Sequence, residues 1–471
     1  MACLFAAVVV AAEPSTRPNI VFILIDNCGQ EWFDCYGSDE RRTPKIDALA
    51  RGGVRFEHCY TFPVCGPSRI ELLTGRYSFH TGFVMHHDAA LYGGGGLDPR
   101  REVALARPFR EVGYATGIVG KWQVNNLYDE PDALRQHGFD DHIVWPGSID
   151  RDLIDAPEWR RFQAAIAARN ADALGELNKY IESRYWNPVL LRNGSRERHD
   201  GKFGPDVLQQ WALDFVSRHR EEPFLLYYPM VLTHGQSFSQ HVVPVPGHPG
   251  EGRSEHEMYG DMVAYADRLV GELVGRLDAL KLRERTIVFV ASDNGSEPSL
   301  VAQRGGRPVH GGLYQLTEAG SDVALVANCP ALIPGGRTVP LTDFTDVLPT
   351  LCDLAAVAKP AGVTLDGMSQ AAVLRGLPGA EPPREWIFNQ YNRRRVVRDR
   401  RFKLYSTGEM FDVEADRDEH DNLSSSNSAE VEAARRRLEQ VLASLSADSP
   451  PPLELRSLSA FRLPEGERPR P

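Results

Sequence analysis

Residues 19–27 read NIVFILIDN, a run of apolar side chains that ends directly in an aspartate and an asparagine. A strand that is apolar on both faces is typical of a parallel sheet covered by helices on both sides. Similar short apolar runs occupy 115–119, 224–228 and 286–291. Helical patterns lie between them, at 43–51, 205–218 and 257–280. This alternation predicts an α/β fold with a mostly parallel sheet sandwiched between helices.

The composition changes near Gly376, where Pro, Arg and Asp become more frequent and short alternating stretches appear around 396–405. Such alternation indicates an antiparallel sheet with one exposed face. We therefore predict three parts. They are a targeting segment at 1–12, a main domain at 13–375, and a C-terminal α+β subdomain with a small antiparallel sheet and an extended tail at 376–471.

Residues 1–12 form an apolar run that ends in small residues before Glu13 and Pro14. The run resembles the apolar region and cleavage site of a secretory signal, although the usual basic start is missing. It predicts export to the periplasm or the extracellular space, and the alternative is a frayed N-terminus. No later segment has the run of about 18 apolar residues that a membrane span needs.

The formal net charge of −11 argues against a nucleic-acid partner. An anionic substrate would need a local positive pocket, so the Lys, Arg and His residues near any site are informative. The seven cysteines are too few and too scattered for a disulfide scaffold, and no CxxC pair suggests zinc.

Polar side chains follow four of the predicted strands at the point where each strand ends. They are Asp26 and Asn27, Lys121 and Gln123, His234, and Asp293 and Asn294. Open parallel sheets bind their ligands at the carboxyl ends of the strands. A single polar strand end is weak support because turns also need polar residues. Four together predict one shared site.

The pairs Asp26-Asn27 and Asp293-Asn294 offer only oxygen ligands. Such sets suit the hard cations Ca²⁺ and Mg²⁺ rather than zinc or copper. A cation held there could polarise an oxygen of an anionic substrate. The alternative, two polar turns that close two strands, stays open on spacing alone.

Residues 65–76 read CGPSRIELLTGR, with a proline suited to a helix start and a glycine suited to its end. Cys65 therefore lies beside a helix N-terminus, where the partial positive charge favours an anion. Arg69, four residues on, can face the same side. This suits a nucleophile that attacks an anionic group. A buried cysteine at a turn is the alternative.

The segment Cys65-Gly66-Pro67-Ser68-Arg69, followed by Leu73-Thr74-Gly75-Arg76, resembles the signature of the sulfatase family. Further segments resemble that family along most of the chain, namely Asp26-Asn27, Gly120-Lys121-Trp122, Thr233-His234, Ser292-Asp293-Asn294-Gly295, 347–350 and 402–404. The resemblance implies an alkaline phosphatase-like fold and a sulfuric ester hydrolase. Its substrate would be a sulfated small molecule or polysaccharide, most naturally a sulfated carbohydrate.

The resemblance also implies that Cys65 is oxidised to formylglycine by a formylglycine-generating enzyme. The hydrated aldehyde attacks sulfur, the alcohol leaves, and elimination then releases sulfate. By the same resemblance, Arg69 orients the hydrate and Lys121 bridges nucleophile and sulfate. His234 protonates or binds the leaving oxygen. Ca²⁺ or Mg²⁺ is expected on a set of five residues: Asp26, Asn27, Cys65, Asp293 and Asn294.

Three positions depart from the family pattern. Asn27 stands where a second Asp is usual, which removes one negative charge from the metal site and should lower ion affinity. Gln123 stands in a substrate-binding position where a titratable His is commonest. Leu313, in Gly311-Gly312-Leu313, stands where a sulfate-binding Lys is usual, and an apolar side chain cannot compensate an anion.

These departures leave two alternatives open: a sulfatase-fold binding protein with weakened catalysis, and a phosphate or phosphonate ester hydrolase of the same superfamily. Arg304, Arg307 or His310 could supply the missing cation, or could simply form a solvated loop. Met85, His86 and His87 could line the pocket, or could form a polar loop.

Overall fold

The computed structural model describes residues 17–86, 95–150, 180–237 and 240–445, with a few isolated residues between 153 and 176. The predicted targeting segment at 1–12 and the end of the tail, from residue 446, lie outside the described residues. Among the described residues, no helix has the length and apolar character that a membrane crossing requires.

The strands are β1 Asn19–Ile25, β2 Val54–Tyr60, β3 Ala115–Lys121, β4 Asp141–Trp145, β5 Val189–Arg192, β6 Ser195–Arg198, β7 Phe224–Pro229, β8 Thr286–Ser292, β9 Val301–Arg304, β10 Arg307–His310, β11 Asp322–Val323, β12 Leu325–Asn328, β13 Arg337–Asp343, β14 Ile387–Tyr391, β15 Arg394–Arg398, β16 Phe402–Tyr405 and β17 Met410–Asp412. In the described chain, eleven of them form one sheet in the order β11-β2-β12-β8-β1-β7-β3-β4-β5-β6, with β13 beside β2. The central strands β4, β3, β7, β1 and β8 are parallel, whereas β12, β5 and β6 join antiparallel toward the two edges. The predicted fold class is confirmed: a mixed, mostly parallel sheet between helices.

The α-helices are α1 Pro44–Arg51, α2 Cys65–Thr74, α3 Ser78–Thr81, α4 Ala106–Glu111, α5 Ala133–Gln136, α6 Gly204–Arg218, α7 Glu255–Ala279, α8 Glu318–Ser321, α9 Val347–Leu354, α10 Ala371–Leu374 and α11 Ala429–Ser444. Single 3-10 turns lie at Gln30–Trp32, Asp34–Tyr36, Arg283–Arg285 and Phe344–Asp346. The sequence placed the start of α7 two residues late. Ser254 caps this helix and forms a reciprocal pair of hydrogen bonds with Glu257, which fixes the earlier start.

The burial of β1 on both faces explains why its sequence is apolar throughout. Its side chains alternate between two hydrophobic clusters, one on each face of the sheet. Val21 and Ile23 pack on the face covered by α6 and α7, whereas Ile20 and Phe22 pack on the face that includes α2 and α9. Burial on both faces holds β1 at the centre of the sheet, so the residues that follow it are fixed in position.

The C-terminal part forms a separate antiparallel sheet in the order β14-β15-β16-β17, as the alternating pattern predicted. The helix α11 packs on β15 and β16. Their shared apolar cluster also includes Tyr77 and Phe79, which follow α2 directly. The small sheet is therefore attached to the part of the main domain that carries residues 65–81.

A buried ionic cluster also joins the small sheet to the main domain, and we call it the anchor cluster. It consists of Glu318, Arg398, Lys403 and Glu419, with the hydroxyl of Tyr60. The Glu318 carboxylate accepts from Arg398 Nη1 at 2.6 Å, from Lys403 Nζ at 3.1 Å and from the Tyr60 hydroxyl. Both of its oxygens are thus paired.

Candidate active site

The parallel strands bring three of the predicted strand ends to one place. Asp26 follows β1 and donates its backbone N–H to Leu232 O at 2.7 Å. Asp293 follows the neighbouring β8 and donates its backbone N–H to Ile25 O at 3.0 Å. Lys121 ends β3 and reaches across with its Nζ 2.7 Å from Asp26 Oδ2. The fourth segment joins them because Thr233 donates its N–H to Asp26 O at 2.7 Å.

Cys65 is the first residue of α2 and lies over these strand ends, 3 % exposed. Its Sγ is 3.4 Å from Lys121 Nζ. The helix start is tied to β8 because the Ser68 hydroxyl donates to Asp293 O at 2.6 Å. Cys65 thus combines a helix N-terminus with a lysine ammonium, which is an environment for an anion.

Arg69 lies in α2, and its side chain is fully buried against the two aspartates and the end of β3. Its Nη2 lies 2.7 Å from Asp293 Oδ2 and 3.5 Å from Asp26 Oδ1, and its Nη1 donates to Lys121 O at 2.9 Å. These contacts fix the relative positions of both aspartates and the end of β3. We call Asp26, Arg69, Lys121 and Asp293 the site cluster.

The ligand atoms of Asp26, Cys65 and Asp293 all lie within 4.8 Å of one another. Asp26 Oδ1 and Asn294 Oδ1 are buried and accept no hydrogen bond from any described residue. A buried oxygen without a donor is costly unless something else binds it. Two such oxygens beside a second carboxylate fit a divalent cation with oxygen ligands.

Asn27 completes this oxygen set in a conformation that suits its residue type. Its φ of 58° lies in the left-handed region, which Asn and Asp tolerate better than most residues. Its backbone N–H donates to Asp293 Oδ1 at 2.9 Å, and its Oδ1 accepts from Asn294 Nδ2 at 2.7 Å. The structure therefore places all five predicted metal-site residues together.

The pKa values of the two aspartates are shifted in opposite directions. Burial raises the pKa of Asp293 to about 7, and the nearby Asp26 charge adds to this rise. Burial acts on Asp26 as well, but Lys121 and Arg69 outweigh it and hold the pKa of that carboxyl below its usual range. Two carboxylates this close share one proton unless a cation joins them.

His234 lies half-buried on the same pocket as Cys65 and Lys121. Burial lowers its pKa to about 3, with help from the positive charges of Lys121 and Arg184. A neutral ring with Nδ1 2.8 Å from Gly235 O donates from Nδ1, which leaves Nε2 as an acceptor. In this state, His234 can bind a proton but cannot give one.

The pocket is lined by Asn27, Val64, Cys65, His86, Lys121, Gln123, Trp145, Gly147, Ile181, Arg184, His234, Ser237, Leu313 and Tyr314. Leu313 therefore lies on the pocket wall, 4 % exposed, so the family's usual lysine is missing at a position that faces the site. Gln123, a predicted substrate-binding residue, lines the pocket, and so does His86, for which a polar loop had been the alternative. His87 is outside the described residues.

The three side chains considered as substitutes for that lysine lie elsewhere, on the β9–β10 hairpin. Arg307 pairs with Asp418 at 3.7 Å, and His310 Nδ1 is 3.4 Å from Pro298 O. Neither these two nor Arg304 lines the pocket in the part of the chain that the structure describes. They therefore lie outside the described pocket, but in two paired strands rather than in a solvated loop.

Sequence reasoning missed several residues of the pocket, among them Trp145 and Arg184. Trp145 ends β4, whose register places it beside Lys121 at the end of β3. The strand-end rule could have found it if 141–145 had been recognised as a strand. Arg184 lies in an irregular segment with no motif, and no sequence signal pointed to it.

Comparisons with known proteins explain this arrangement. A family model described as Sulfatase matches residues 18–357. The chain belongs to the sulfatase family. Arylsulfatase D of Homo sapiens is 30% identical over 443 residues, covering 80% of this chain and 72% of that protein. The N-acetylgalactosamine-6-sulfatase of Canis lupus familiaris is 31% identical, covering 79% of this chain and 69% of that protein.

A solved structure, Ps i-CgsB in complex with k-i-k-neocarrahexaose, matches with a TM-score of 0.72 and 25% identity, covering 93% of this chain and 94% of that one. Both the fold and the relatives agree with the residue pattern around Cys65. This sulfatase is an enzyme of the sulfuric ester hydrolase type.

Proposed function

We propose that this sulfatase hydrolyses a sulfate ester of a carbohydrate, with formylglycine made from Cys65 as its nucleophile and Ca²⁺ or Mg²⁺ as its metal. The observation that carries the proposal is the position of Cys65. It starts a helix, its Sγ is 3.4 Å from Lys121 Nζ, and it lies within 4.8 Å of two carboxylates. Nucleophile, cationic side chain and metal-binding oxygens thus share one pocket.

The metal would be held by Asp26, Asn27, Asp293 and Asn294, together with the residue at position 65. The buried oxygens Asp26 Oδ1 and Asn294 Oδ1, which accept no hydrogen bond from any described residue, support this assignment. Bound there, the cation supplies Lewis acidity toward a sulfate oxygen. The site cluster has two negative and two positive side chains, so a divalent cation makes the pocket positive in a chain of net charge −11.

The unmodified Cys65 side chain is poorly suited to the reaction. Burial raises the pKa of its thiol, and Asp26 and Asp293 add to the rise, although Lys121 opposes it. A protonated thiol is a weak nucleophile. Oxidation to an aldehyde removes this difficulty, because the hydrated aldehyde supplies a hydroxyl that can attack sulfur and later release sulfate by elimination.

The other side chains then have defined tasks. Lys121 is placed to bind both the group at position 65 and a sulfate oxygen. Arg69, which is fully buried, positions Asp293 and the end of β3. His234 would face the bridging ester oxygen of the substrate with its Nε2 atom. An anionic substrate beside the ring raises the pKa of His234 toward the range where Nε2 can carry a proton.

A carbohydrate substrate is supported by the pocket walls and by the relatives. Trp145 and Tyr314 provide aromatic surface beside the polar groups, as sugar sites often do. The His86 and Tyr314 rings lie 5.8 Å apart between centroids and form one wall. The related structure with a carrahexaose and the relative named N-acetylgalactosamine-6-sulfatase favour the same class.

A second candidate is a sulfatase-fold binding protein with weakened catalysis. It is favoured by Leu313 on the pocket wall and by the amide at Asn27. A phosphate or phosphonate ester hydrolase has less support, because Cys65 lies within the sulfatase signature. A panel of aryl sulfate, phosphate and phosphonate esters distinguishes this last class.

Maturation requires a formylglycine-generating enzyme, and we propose export through residues 1–12. The division into a catalytic domain at 13–375 and a C-terminal subdomain at 376–471 is part of the same proposal. The small sheet borders the site region, since Asn392 donates its N–H to Val84 O at 2.5 Å, two residues before His86.

Mass spectrometry of the tryptic peptide 56–69 tests the proposal, using protein made together with the maturing enzyme. Cys65 should be found as the aldehyde. Cys59 lies in the same peptide and is buried, so it is an internal control that should remain an alkylatable thiol. A thiol at both positions, together with no turnover of any sulfate ester, would contradict the active-sulfatase proposal and favour the binding protein.

A further inference from the structure

If the proposed function is correct, the bound metal needs further cationic side chains beside it to hold all the oxygens of a sulfate group. Lys121 is already paired with Asp26 Oδ2 at 2.7 Å. Arg69 is fully buried beneath the cluster and is not among the pocket-lining residues. Leu313 contributes no charge. A sulfate ester bound here needs a further donor, because burying its oxygens without one is costly.

Arg184 lines the same pocket and is 4 % exposed. Its guanidinium carbon is 3.7 Å from the ring centroid of Trp145, so the cation stacks on the aromatic face. The indole is fixed in turn, because Trp145 Nε1 donates to Glu182 O at 2.7 Å. Trp145 is the register partner of Lys121, which places Arg184 beside the strand ends that form the site.

The segment that carries Arg184 is tied to the segment that carries His234. The hydroxyl of Tyr185 donates to His234 O and, at 2.9 Å, to Val231 O. On the other side, Gly204 packs so closely that an added Cβ would lie 2.0 Å from Arg184 O. The backbone of Arg184 is therefore held in place before any ligand binds. Its charge also contributes to the lowered pKa of His234, as expected for a close neighbour.

We propose that Arg184 binds the sulfate group that is cleaved, in place of the lysine that Leu313 replaces. A planar guanidinium can give two parallel hydrogen bonds to two oxygens of one anion, which a lysine cannot do. The sulfate would thus be held between Lys121 on one side and Arg184 on the other.

The competing assignment gives Arg184 a different anion, such as a carboxylate elsewhere on the sugar. The two assignments predict different results with probes that carry only one anionic group. 4-Nitrophenyl sulfate has no second anionic group, so a remote-anion site would not affect its KM, whereas inorganic sulfate could itself occupy such a site.

The test is calorimetric titration of the metal-loaded protein with inorganic sulfate, for the parent chain, Arg184→Met and Arg184→Lys. Arg184→Met keeps the stem and removes the charge, and we expect binding to weaken at least about 10-fold. Arg184→Lys keeps the charge but not the paired donors, and should lie between the two. Arg192→Met is the matched control, because Arg192 ends β5 nearby, pairs with Glu197 and does not line this pocket.

A rescue variant separates sulfate binding from general damage. Leu313→Lys introduced into Arg184→Met should restore a large part of the sulfate affinity, since it returns a cation to the pocket. KM for 4-nitrophenyl sulfate should follow the same order as sulfate affinity. A structural role alone would lower the melting temperature and would not respond to a lysine at 313.

Unchanged sulfate affinity in Arg184→Met would overturn the proposal, as would an effect confined to substrates with a second anionic group. If Arg184→Met does not fold, Arg184→Lys decides, and parent-like affinity in it would overturn the proposal. A different result is expected if the proposed function, rather than the role of Arg184, is wrong. The parent chain would then bind sulfate through Arg184 and yet hydrolyse no sulfate ester.

Discussion

The site cluster and the anchor cluster are built from the same kinds of residue, yet they differ in one respect. Both are buried and both combine carboxylates with Arg and Lys. In the anchor cluster, Glu318 is paired through both oxygens with Arg398, Lys403 and the Tyr60 hydroxyl. In the site cluster, Asp26 Oδ1 accepts no hydrogen bond from any described residue.

This difference in hydrogen bonding indicates which of the two clusters can bind a metal ion. His58, Glu318 and Asp322 also have potential ligand atoms within 4.8 Å of one another. Their carboxylate oxygens already accept from protein donors, including Arg417 Nη2 at 3.0 Å from Asp322 Oδ2 and the backbone N–H of Cys59 at 3.1 Å from Asp322 Oδ1. Metal-like spacing alone therefore does not indicate a metal site. An unpaired buried oxygen beside that spacing does.

The largest effect that tests this contrast is expected for Asp293→Asn. Removing one of two carboxylates should abolish tight metal binding and lower kcat/KM on the order of 1,000-fold, since metal polarisation contributes several kcal/mol. The stability of the metal-free protein should change little, by less than about 2 kcal/mol, because burial already disfavours the ionised carboxyl. Calcium titration, enzyme kinetics and urea unfolding check these three values. Parent-like calcium affinity would contradict the metal assignment.

Arg398→Met makes the opposite prediction for the anchor cluster. Arg398 is 1 % exposed and pairs with Glu318 Oε2 at 2.6 Å, so its loss leaves a buried carboxylate short of a partner. We expect the free energy of unfolding to fall by about 3–5 kcal/mol. The kcat of the folded fraction should stay within about twofold of the parent value, because Arg398 does not line the pocket. A loss of kcat as large as that of Asp293→Asn would remove the distinction between the clusters.

The smallest effect concerns pH and belongs to the site cluster alone. The pKa of Asp293 is raised to about 7 in the metal-free protein, so this carboxyl is protonated below that pH. A metal binds the carboxylate form, and its affinity should therefore fall by about tenfold for each pH unit below 7 and level off above it. Titration in buffers of different ionisation enthalpy should show proton release near pH 6. Affinity that does not vary between pH 5.5 and 7 would contradict the shared-proton picture.

Much of this arrangement could be predicted from local patterns. The run at 19–25 predicted a central strand, and β1 occupies those residues with side chains buried on both faces. The polar residues after β1, β3 and β8 were expected to meet, because parallel strands end at one edge, and they do meet. The helix that starts at Cys65 followed from its proline and glycine signals.

Other parts could not be predicted in this way. The sequence suggested Arg304, Arg307 or His310 as the missing cation because they lie near Leu313 along the chain. The β9–β10 hairpin carries them away from the pocket. Arg184 is far from Leu313 in sequence but lines the pocket, where it packs against Trp145 and where the hydrogen bonds of Tyr185 hold its segment.

The sequence by itself determined four parallel strands of the sheet, the helix start beside Cys65 and the strand-end residues, because these depend on side-chain period and on capping signals within a few residues. The tertiary structure alone decided which buried carboxylates accept hydrogen bonds at both oxygens and which have an oxygen that accepts none. That outcome depends on contacts between segments far apart in the sequence, 224 residues for Arg69 with Asp293 and 80 residues for Arg398 with Glu318. No local sequence pattern predicts these long-range contacts. They are what distinguishes the site cluster from the anchor cluster.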